Sequence, residues 1–268
     1  RHDVESRGLG DVYKRQDTIT NKDTIQLVAE AAYITTPKFP RDWSHFAELY
    51  YSNYKVYTEN FGERNTLKDE FEFQKGLKQI ELSSVNEYVG LQLFKDVTLK
   101  TLEDQASKVE IKPNFFQVFK KLYDSKVPVI ILSCNWTSVI MSKIFKDHGF
   151  EQDENFQIIT NEFEHTNDKL TGQVKEDVSI RTGADKVEHV RKLLKELNNS
   201  GIQDAVYYIG DSATDILPML EVDYGIIIGD GSALKTLQKL NIKLDEGINK
   251  GDAKIKHIKN WNELNDLI

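Results

Sequence analysis

The sequence has one cysteine, Cys134, in 268 residues. An intrachain disulfide is therefore excluded, and a reducing intracellular compartment is expected. Long apolar runs are also lacking, because the longest, near Val127–Leu132, is far shorter than the ~20 residues that span a bilayer. Residues 1–16 contain no apolar segment typical of a signal peptide. We therefore expect a cytoplasmic protein without a membrane partner.

Basic residues are fewer than acidic residues in this sequence. The chain carries 35 Lys and Arg against 43 Asp and Glu, a net charge of -8. Nucleic-acid backbones require clustered positive charge, so no nucleic-acid partner is expected. The one short basic stretch, Lys254–Lys259, is interrupted by Ile and His and is interpreted as a solvated element near the C-terminus. With 39% hydrophobic residues, the composition is that of a globular protein with a real core.

The first sixteen residues lack the apolar periodicity of a core strand. Within them, Ser6–Gln16 resembles a leader that recurs in translated metagenomic assemblies, where adapter sequence is joined to a truncated gene. We interpret residues 1–16 as a non-native leader. An ordinary disordered N-terminal tail is the alternative.

Residues 21–110 show apolar side chains at steps of three and four. In the aromatic-rich stretch Trp43–Phe61, for example, Phe46, Tyr50 and Tyr54 follow this spacing. Such stripes predict a small helical bundle with the aromatic rings in its core. The predicted helices begin near Ile25 and cover Trp43–Phe61, Leu67–Leu82 and Val85–Phe94.

Residues 111–268 alternate helical stretches with short β-branched runs. This rhythm predicts a mostly parallel, Rossmann-like sheet with helices on both faces and a ligand site beyond the carboxyl ends of the strands. The predicted helices are Asn114–Tyr123, Trp136–His148, Ala184–Leu197 and one from Ile216 to Leu220. The predicted strands are a buried one at Val127–Leu132, two more at Ala205–Ile209 and Tyr224–Ile228, and a strand pair over Phe156–Val174 with its turn at Asn167-Asp168.

Ser133 directly follows the predicted strand Val127–Leu132. A hydroxyl at that place can donate to a phosphate oxygen, and the backbone N–H groups of Cys134 and Asn135 can complete an anion site. Taken alone, a serine that merely caps the next helix is the better explanation of the pattern.

Lys186 lies at the start of a predicted helix, where its charge opposes the positive end of the helix dipole. This misfit favours a functional role, such as holding a phosphate or a carboxylate. An exposed lysine is an equally good explanation without other support.

The sequence Gly210–Asp215 follows another predicted strand and is the most specific signal in the chain. Gly210 allows a sharp turn, and Asp211 and Asp215 then lie four residues apart at a helix start. Two carboxylates at a strand end suit Mg²⁺. A helix capped by aspartate explains one acid, but not both together with the preceding strand.

Ser133, Lys186 and the Asp211/Asp215 pair occur in the order and contexts of the second, third and fourth motifs of the haloacid dehalogenase (HAD) superfamily, which the chain resembles. The segment Gly210–Leu220 is especially similar to the phosphoserine-phosphatase-like branch. Any one motif is weak evidence, whereas the ordered set is strong.

The resemblance covers residues 17–25 and the chain from about residue 111 onward. It implies an α/β core over residues 111–268, a core remnant at residues 17–20 and an inserted all-helical cap domain at residues 21–110. We call the last segment the cap region.

The resemblance also implies a Mg²⁺-dependent phosphatase that acts on a small phosphorylated metabolite through an aspartyl-phosphate. In that mechanism Ser133 hydrogen-bonds the phosphoryl group, and Lys186 neutralises charge on the intermediate. Asp211 binds Mg²⁺, and Asp215 supports the metal directly or through water. Two aspartates of an Asp-x-Asp-x-Thr motif act as nucleophile and general acid–base.

The chain departs from the family pattern at this first motif. If Thr18 is the motif threonine, Lys14 occupies the nucleophile position and Gln16 the acid–base position. The printed chain, with Lys14 and Gln16 at these positions, is therefore expected to be inactive. Its natural parent, the protein with a native N-terminus in place of the leader, is expected to be a phosphatase.

Other functions stay open on the same fold. A non-catalytic protein that binds phospholigands, a pseudoenzyme, fits the missing aspartates, although the retained motif residues favour a catalytic parent. Phosphoryl transfer to an acceptor other than water would use the same site. Arg64, Lys68 or Glu72 of the cap region could face the cleft, or could form a solvated helix face.

Overall fold

The structure is a computed structural model that describes residues 18–201 and 204–266. The proposed leader at residues 1–16, including Lys14 and Gln16, lies outside the described residues. Within the described ranges, no helix is long and apolar enough to cross a membrane.

The cap region is helical, as its apolar spacing predicts. Its third helix begins at a capping box, because the Thr66 hydroxyl accepts from the Asp69 N–H while the Asp69 carboxylate accepts from the Thr66 N–H. The two predicted segments that meet near residue 83 form this one continuous helix. Tyr88 and Phe94 are fully buried in the core beneath it. The helices are α1 (Ile25–Thr35), α2 (Trp43–Phe61), α3 (Leu67–Gly90) and α4 (Leu99–Asp104), followed by a 3-10 turn at Gln105–Lys108.

The chain enters and leaves the cap region at one place. Thr20 and Ile111 form an isolated antiparallel bridge. On either side of it, the Asn21 N–H donates to the Glu110 carbonyl and the Lys112 N–H donates to the Ile19 carbonyl, both at 2.8 Å. The proposed domain limits at residues 21 and 110 stay a prediction, and they fall beside this crossing.

The second half of the chain alternates helices and strands. Its elements are α5 (Phe115–Asp124), β1 (Val129–Leu132), α6 (Val139–Asp147), β2 (Phe156–Ile159), β3 (Phe163–Thr166), β4 (Lys169–Val174), α7 (Gly183–Asn199), β5 (Tyr207–Gly210), α8 (Ala213–Glu221), β6 (Tyr224–Ile228), α9 (Ser232–Lys239), β7 (Leu244–Glu246), β8 (Ile255–Ile258) and a 3-10 turn at Trp261–Asp266. β1 and β2 pair in parallel, β5-β6-β8-β7 form a parallel four-stranded sheet, and β3 and β4 form an antiparallel hairpin. The predicted α/β fold with a helical cap is confirmed.

An aromatic cluster fills the core between the parallel strands and the helices that cover them. The Phe119 ring lies 4.8 Å from the Phe145 and Phe156 rings. Ile226 of β6 and Trp261 of the last turn belong to the same buried cluster. Burying such rings is the main stabilising contribution of this half of the molecule.

Two strand predictions are wrong in detail. The segment Phe156–Val174 forms three strands, because β2 pairs in parallel with β1 and only β3 and β4 form a hairpin around the predicted turn. β1 is only partly buried, with Ile130 39% exposed, since β2 is its one partner among the described strands.

The interpretation of Lys254–Lys259 as a solvated element is also wrong. All four residues of β8 are buried, between β6 and β7. The Lys256 ammonium donates to Asp245 at 2.9 Å and to the Lys250 and Gly251 carbonyls. A buried lysine is stable where it has such partners.

Candidate active site

Asp215 lies in the first turn of α8, and both of its carboxylate oxygens are occupied. Oδ1 accepts from the Lys186 ammonium at 2.7 Å and from the Tyr208 hydroxyl at 2.9 Å. Oδ2 accepts from the Ser212 N–H and hydroxyl and, at 3.3 Å, from the Asp211 N–H. Burial raises the pKa of Asp215, but Lys186 and Ser212 outweigh burial, so the pKa lies below its usual value.

Gly210 precedes this carboxylate at the end of β5, where no larger residue fits. A Cβ at residue 210 would lie 2.5 Å from the Asp215 side chain. The glycine therefore lets the aspartate of α8 fold back against the strand end.

Lys186 is in the second turn of α7 and is buried together with its partner. Burial lowers the pKa of Lys186, but the charge of Asp215 raises it further, so the pKa lies well above the usual lysine value. Both groups therefore stay charged at neutral pH. The sequence left open whether Lys186 holds a phosphate or a carboxylate. Its partner is the Asp215 carboxylate, which explains a lysine at a helix start.

Asp211 is also buried, but its pKa is raised, whereas the pKa of Asp215 is lowered. Burial and the charge of Asp215 raise the pKa of Asp211 to about 6, against the lowering effect of a hydrogen bond from Thr18. In that bond the Thr18 hydroxyl donates to Asp211 Oδ1 at 2.6 Å. Thr18 thus reaches the site from 193 residues away in the sequence.

The loop after β1 carries Ser133, Cys134 and Asn135. The Ser133 hydroxyl accepts from the Asn135 N–H at 3.1 Å, so the loop turns tightly on itself. The Asn135 side chain donates to the Thr24 hydroxyl at 2.6 Å and accepts from the Trp136 N–H. Burial raises the pKa of the Cys134 thiol to about 11, so the thiol is protonated at neutral pH. Phosphate binding by this loop stays a prediction.

This loop lies beside the buried ion pair. The charges of Lys186 and Asp215 both act on the Cys134 thiol. The structure therefore brings together the places after β1, at the start of α7 and after β5. They meet at the carboxyl ends of parallel strands, where ligands bind in α/β folds.

Asn161 is a site residue that the sequence analysis missed. Its side-chain amide donates to the Cys134, Asn135 and Ile180 carbonyls, and its Oδ1 accepts from the Ile180 N–H at 2.9 Å. This side chain therefore fixes the Ser133 loop against the segment that leads into α7. The available signal was a polar pair, Thr160-Asn161, directly after an apolar strand.

Removing this link is expected to destabilise the protein. The substitution N161L leaves the Cys134 and Ile180 carbonyls and the Ile180 N–H without the Asn161 side chain, at about 1–3 kcal/mol for each buried group that stays unpaired. The Asn135 carbonyl keeps the Asn161 backbone N–H. We expect a loss of at least about 3 kcal/mol in the free energy of unfolding, measured by urea titration. N86L, at an exposed asparagine of α3, is the control, and equal losses in the two variants would contradict this role for Asn161.

The cap region touches the site through α3. Gln74 accepts from the Gly183 N–H at 3.3 Å, and Lys78 forms a 2.7 Å salt bridge with Asp185 of α7. Arg64, which the sequence left between cleft and surface, binds Glu70 at 2.9 Å. Its guanidinium also packs over the Phe73 ring of the cap region. Lys68 and Glu72 are exposed.

Asp211 is the carboxylate at this strand end whose chemistry suits a hard divalent cation. This carboxylate is withdrawn from water, and its raised pKa shows that its negative charge is poorly compensated. Mg²⁺ prefers carboxylate oxygens and would supply that compensation. Asp215 already has five donors, which favours a supporting role behind Asp211. Among residues 18–201 and 204–266, no three His, Cys, Asp or Glu side chains converge on one point, so further ligands would come from elsewhere.

Two curated proteins are similar to this chain. It is 27% identical to Cold tolerance protein 1 of Saccharomyces cerevisiae over 234 residues, which covers 76% of this chain and 73% of that protein. It is 22% identical to the mitochondrial Bifunctional TH2 protein of Arabidopsis thaliana, over 81% of this chain and 39% of that protein.

Solved structures share the fold. A substrate-bound phosphoserine phosphatase superposes with a TM-score of 0.52 at 19% identity, covering 94% of each chain. A HAD family hydrolase from Salmonella enterica serovar Typhi gives a TM-score of 0.54 at 11% identity, covering 91% of this chain and 66% of that chain. The model of the haloacid dehalogenase-like hydrolase family matches residues 17–221. This match spans more than half of the sequence, so the chain belongs to the haloacid dehalogenase-like hydrolase family.

Proposed function

We propose that the natural parent of this chain is a Mg²⁺-dependent phosphatase that hydrolyses a small phosphomonoester through an aspartyl-phosphate. The observation that carries the proposal is the buried Lys186–Asp215 pair with Asp211 beside it, at the end of β5. Such a charged cluster is expensive to bury and is typical of a catalytic site. Membership of a hydrolase family supports the same conclusion.

Each retained side chain has a role in that reaction. Asp215 holds the Lys186 ammonium, whose charge attracts phosphoryl oxygens and stabilises the negative charge that develops on them. The Ser133 hydroxyl and the backbone beside it orient the phosphoryl group. Asp211 would hold Mg²⁺, which when bound neutralises charge between an anionic nucleophile and the phosphoryl group.

The covalent steps require two groups at positions 14 and 16. A carboxylate at position 14 attacks phosphorus, and the alkoxide leaving group takes a proton from an acid at position 16. The same group at position 16 then removes a proton from the water that releases phosphate. The printed residues at these positions, Lys14 and Gln16, can do neither step, so we propose that the printed chain is inactive.

The test restores the first motif. An apolar segment replaces residues 8–13, and K14D and Q16D are introduced together. We expect this chain to hydrolyse para-nitrophenyl phosphate with MgCl₂, with loss of activity in EDTA. The matched control with K14N and Q16D should be at least about 10³-fold slower, because it lacks only the nucleophile. A folded chain with K14D and Q16D that neither binds Mg²⁺ nor turns over substrate would contradict the proposal.

The second candidate is a non-catalytic protein that binds phospholigands, favoured by Lys14 and Gln16 at the first motif. Under that function the printed chain binds phosphate compounds but never turns them over. Metal-dependent turnover by the printed chain, lost in D211N, would contradict both this alternative and the proposed inactivity.

A further inference from the structure

Arg181, in the segment that leads into α7, is a buried arginine that has no counter-ion within residues 18–201 and 204–266. The residue is 6% exposed, and its Nε and Nη1 atoms are buried without a hydrogen-bond partner among the described residues. Its backbone N–H donates to Asp185, whose carboxylate is also bound to Thr182 and Lys78. The guanidinium itself forms none of the salt bridges found in residues 18–201 and 204–266. Because arginine stays charged, this is an uncompensated buried cation.

The Tyr88 hydroxyl is a second unused donor at the same place. Tyr88 of α3 is fully buried, and its hydroxyl oxygen also lacks a hydrogen-bond partner within the described part of the chain. Burial raises the pKa of Tyr88, while the nearby charge of Arg181 acts to lower it. The Arg181 guanidinium and the Tyr88 hydroxyl therefore lie close enough to interact, while Nε and Nη1 of Arg181 have no acceptor among the described residues. Folded proteins rarely leave such groups unpaired.

Both side chains belong to elements that flank the Ser133 loop. The carbonyl of residue 180, next to Arg181, shares the Asn161 amide with the Cys134 and Asn135 carbonyls. The Tyr88 ring lies 4.6 Å from the ring of Trp136, which directly follows Asn135. The unpaired donors are thus beside the candidate active site, on the side of the cap region.

We propose that Arg181 and the Tyr88 hydroxyl form a subsite for a second anionic group, a carboxylate or phosphate, on the leaving-group side of the substrate. This inference rests on the proposed function. Ser133 and Lys186 serve the phosphoryl group, and Lys186 is held at the core end of the site by Asp215. Arg181 instead acts on Tyr88 of α3, so it would meet the part of a substrate that points toward the cap region. A guanidinium binds such an anion through paired hydrogen bonds.

The test compares two probes that differ by one carboxylate. Calorimetric titrations of the printed chain with MgCl₂ use ethyl phosphate and phosphoglycolate. We expect the wild-type chain to bind phosphoglycolate at least about tenfold more tightly, the gain of one charge-assisted hydrogen-bond pair. R181M should abolish this preference and change the ethyl phosphate affinity less than about twofold. R181K, which keeps the charge but loses the paired geometry, should fall between them, and R41M, at an exposed arginine of the cap region, should match the wild type.

The unfolding temperature of R181M distinguishes a ligand subsite from an arginine with only a structural role. R181M without ligand should unfold at a temperature equal to or above that of the wild type, because it removes an unpaired buried charge. A lower unfolding temperature, equal weakening of both probes in R181M, or equal binding of both probes by the wild type would overturn the subsite. Failure of the wild type to bind either probe, repeated in the chain with K14D and Q16D, would instead contradict the proposed function.

Discussion

Replacing Lys186 with methionine is expected to lower the free energy of unfolding by about 3–5 kcal/mol, since it leaves a buried carboxylate without its cation. Asp215 is 4% exposed and would keep only the neutral donors Tyr208 and Ser212 and the backbone. Thermal unfolding of K186M should begin on the order of 10 °C below the wild type. Urea titration with two spectroscopic probes measures the change.

Two variants make this expectation specific. K186M with D215N removes both charges, while the amide oxygen still accepts from Tyr208, so at least half of the lost stability should return. K243M breaks the exposed pair Lys243–Asp252 and should leave the free energy of unfolding nearly unchanged, because solvent screens such a pair. A K186M loss no larger than that of K243M would show that the buried pair is not needed for stability.

Replacing Asp211 with asparagine is expected to raise the free energy of unfolding of the metal-free protein, whereas K186M lowers it. The pKa of Asp211 is about 6 against an ordinary value of 3.8, so the ionised carboxylate costs the metal-free folded state roughly 3 kcal/mol above pH 6. In EDTA at pH 7.5, D211N should be more stable by up to that amount. Because the native state binds the extra proton, wild-type stability should rise as the pH falls from about 7 to about 4. D211N should lack this rise.

Magnesium is expected to favour the wild type over D211N in stability. MgCl₂ should stabilise the wild type and leave D211N unchanged, because ligand binding to the native state raises the free energy of unfolding. At pH 5 only about one-tenth of Asp211 is ionised, so the apparent Mg²⁺ affinity should fall about tenfold from its value at pH 7.5. D211N that is less stable than the wild type in EDTA, or that still responds to MgCl₂, would contradict the assignment of Asp211.

The parts of the site that the sequence predicts are those with a local signature. A strand followed by Ser133, a lysine at a helix start and the Gly210–Asp215 turn each occupy a few consecutive residues. Their order identified the fold, and the strand Tyr224–Ile228 has the predicted limits. Local patterns are informative here because parallel strands bring their carboxyl ends to one edge.

The features that the sequence does not predict depend on distant partners. Lys256 and His257 make β8 look polar, yet both are buried because Asp245 and Glu246 of the neighbouring strand compensate them. Asn161 gains its role only when the loop after β1 and the start of α7 meet. Arg181 becomes unusual only once burial shows that it has no acidic partner.

The last turn of the chain has a consequence for how this protein is made. The Trp261 indole N–H donates to the Thr18 carbonyl at 3.0 Å, 243 positions away, and the Thr18 hydroxyl holds Asp211. On the ribosome the cap region emerges early and can form its local helices at once. The link from Thr18 to Trp261 forms only after synthesis has passed residue 261, so the nascent protein carries the helices of the cap region before the Thr18 segment is fixed in place.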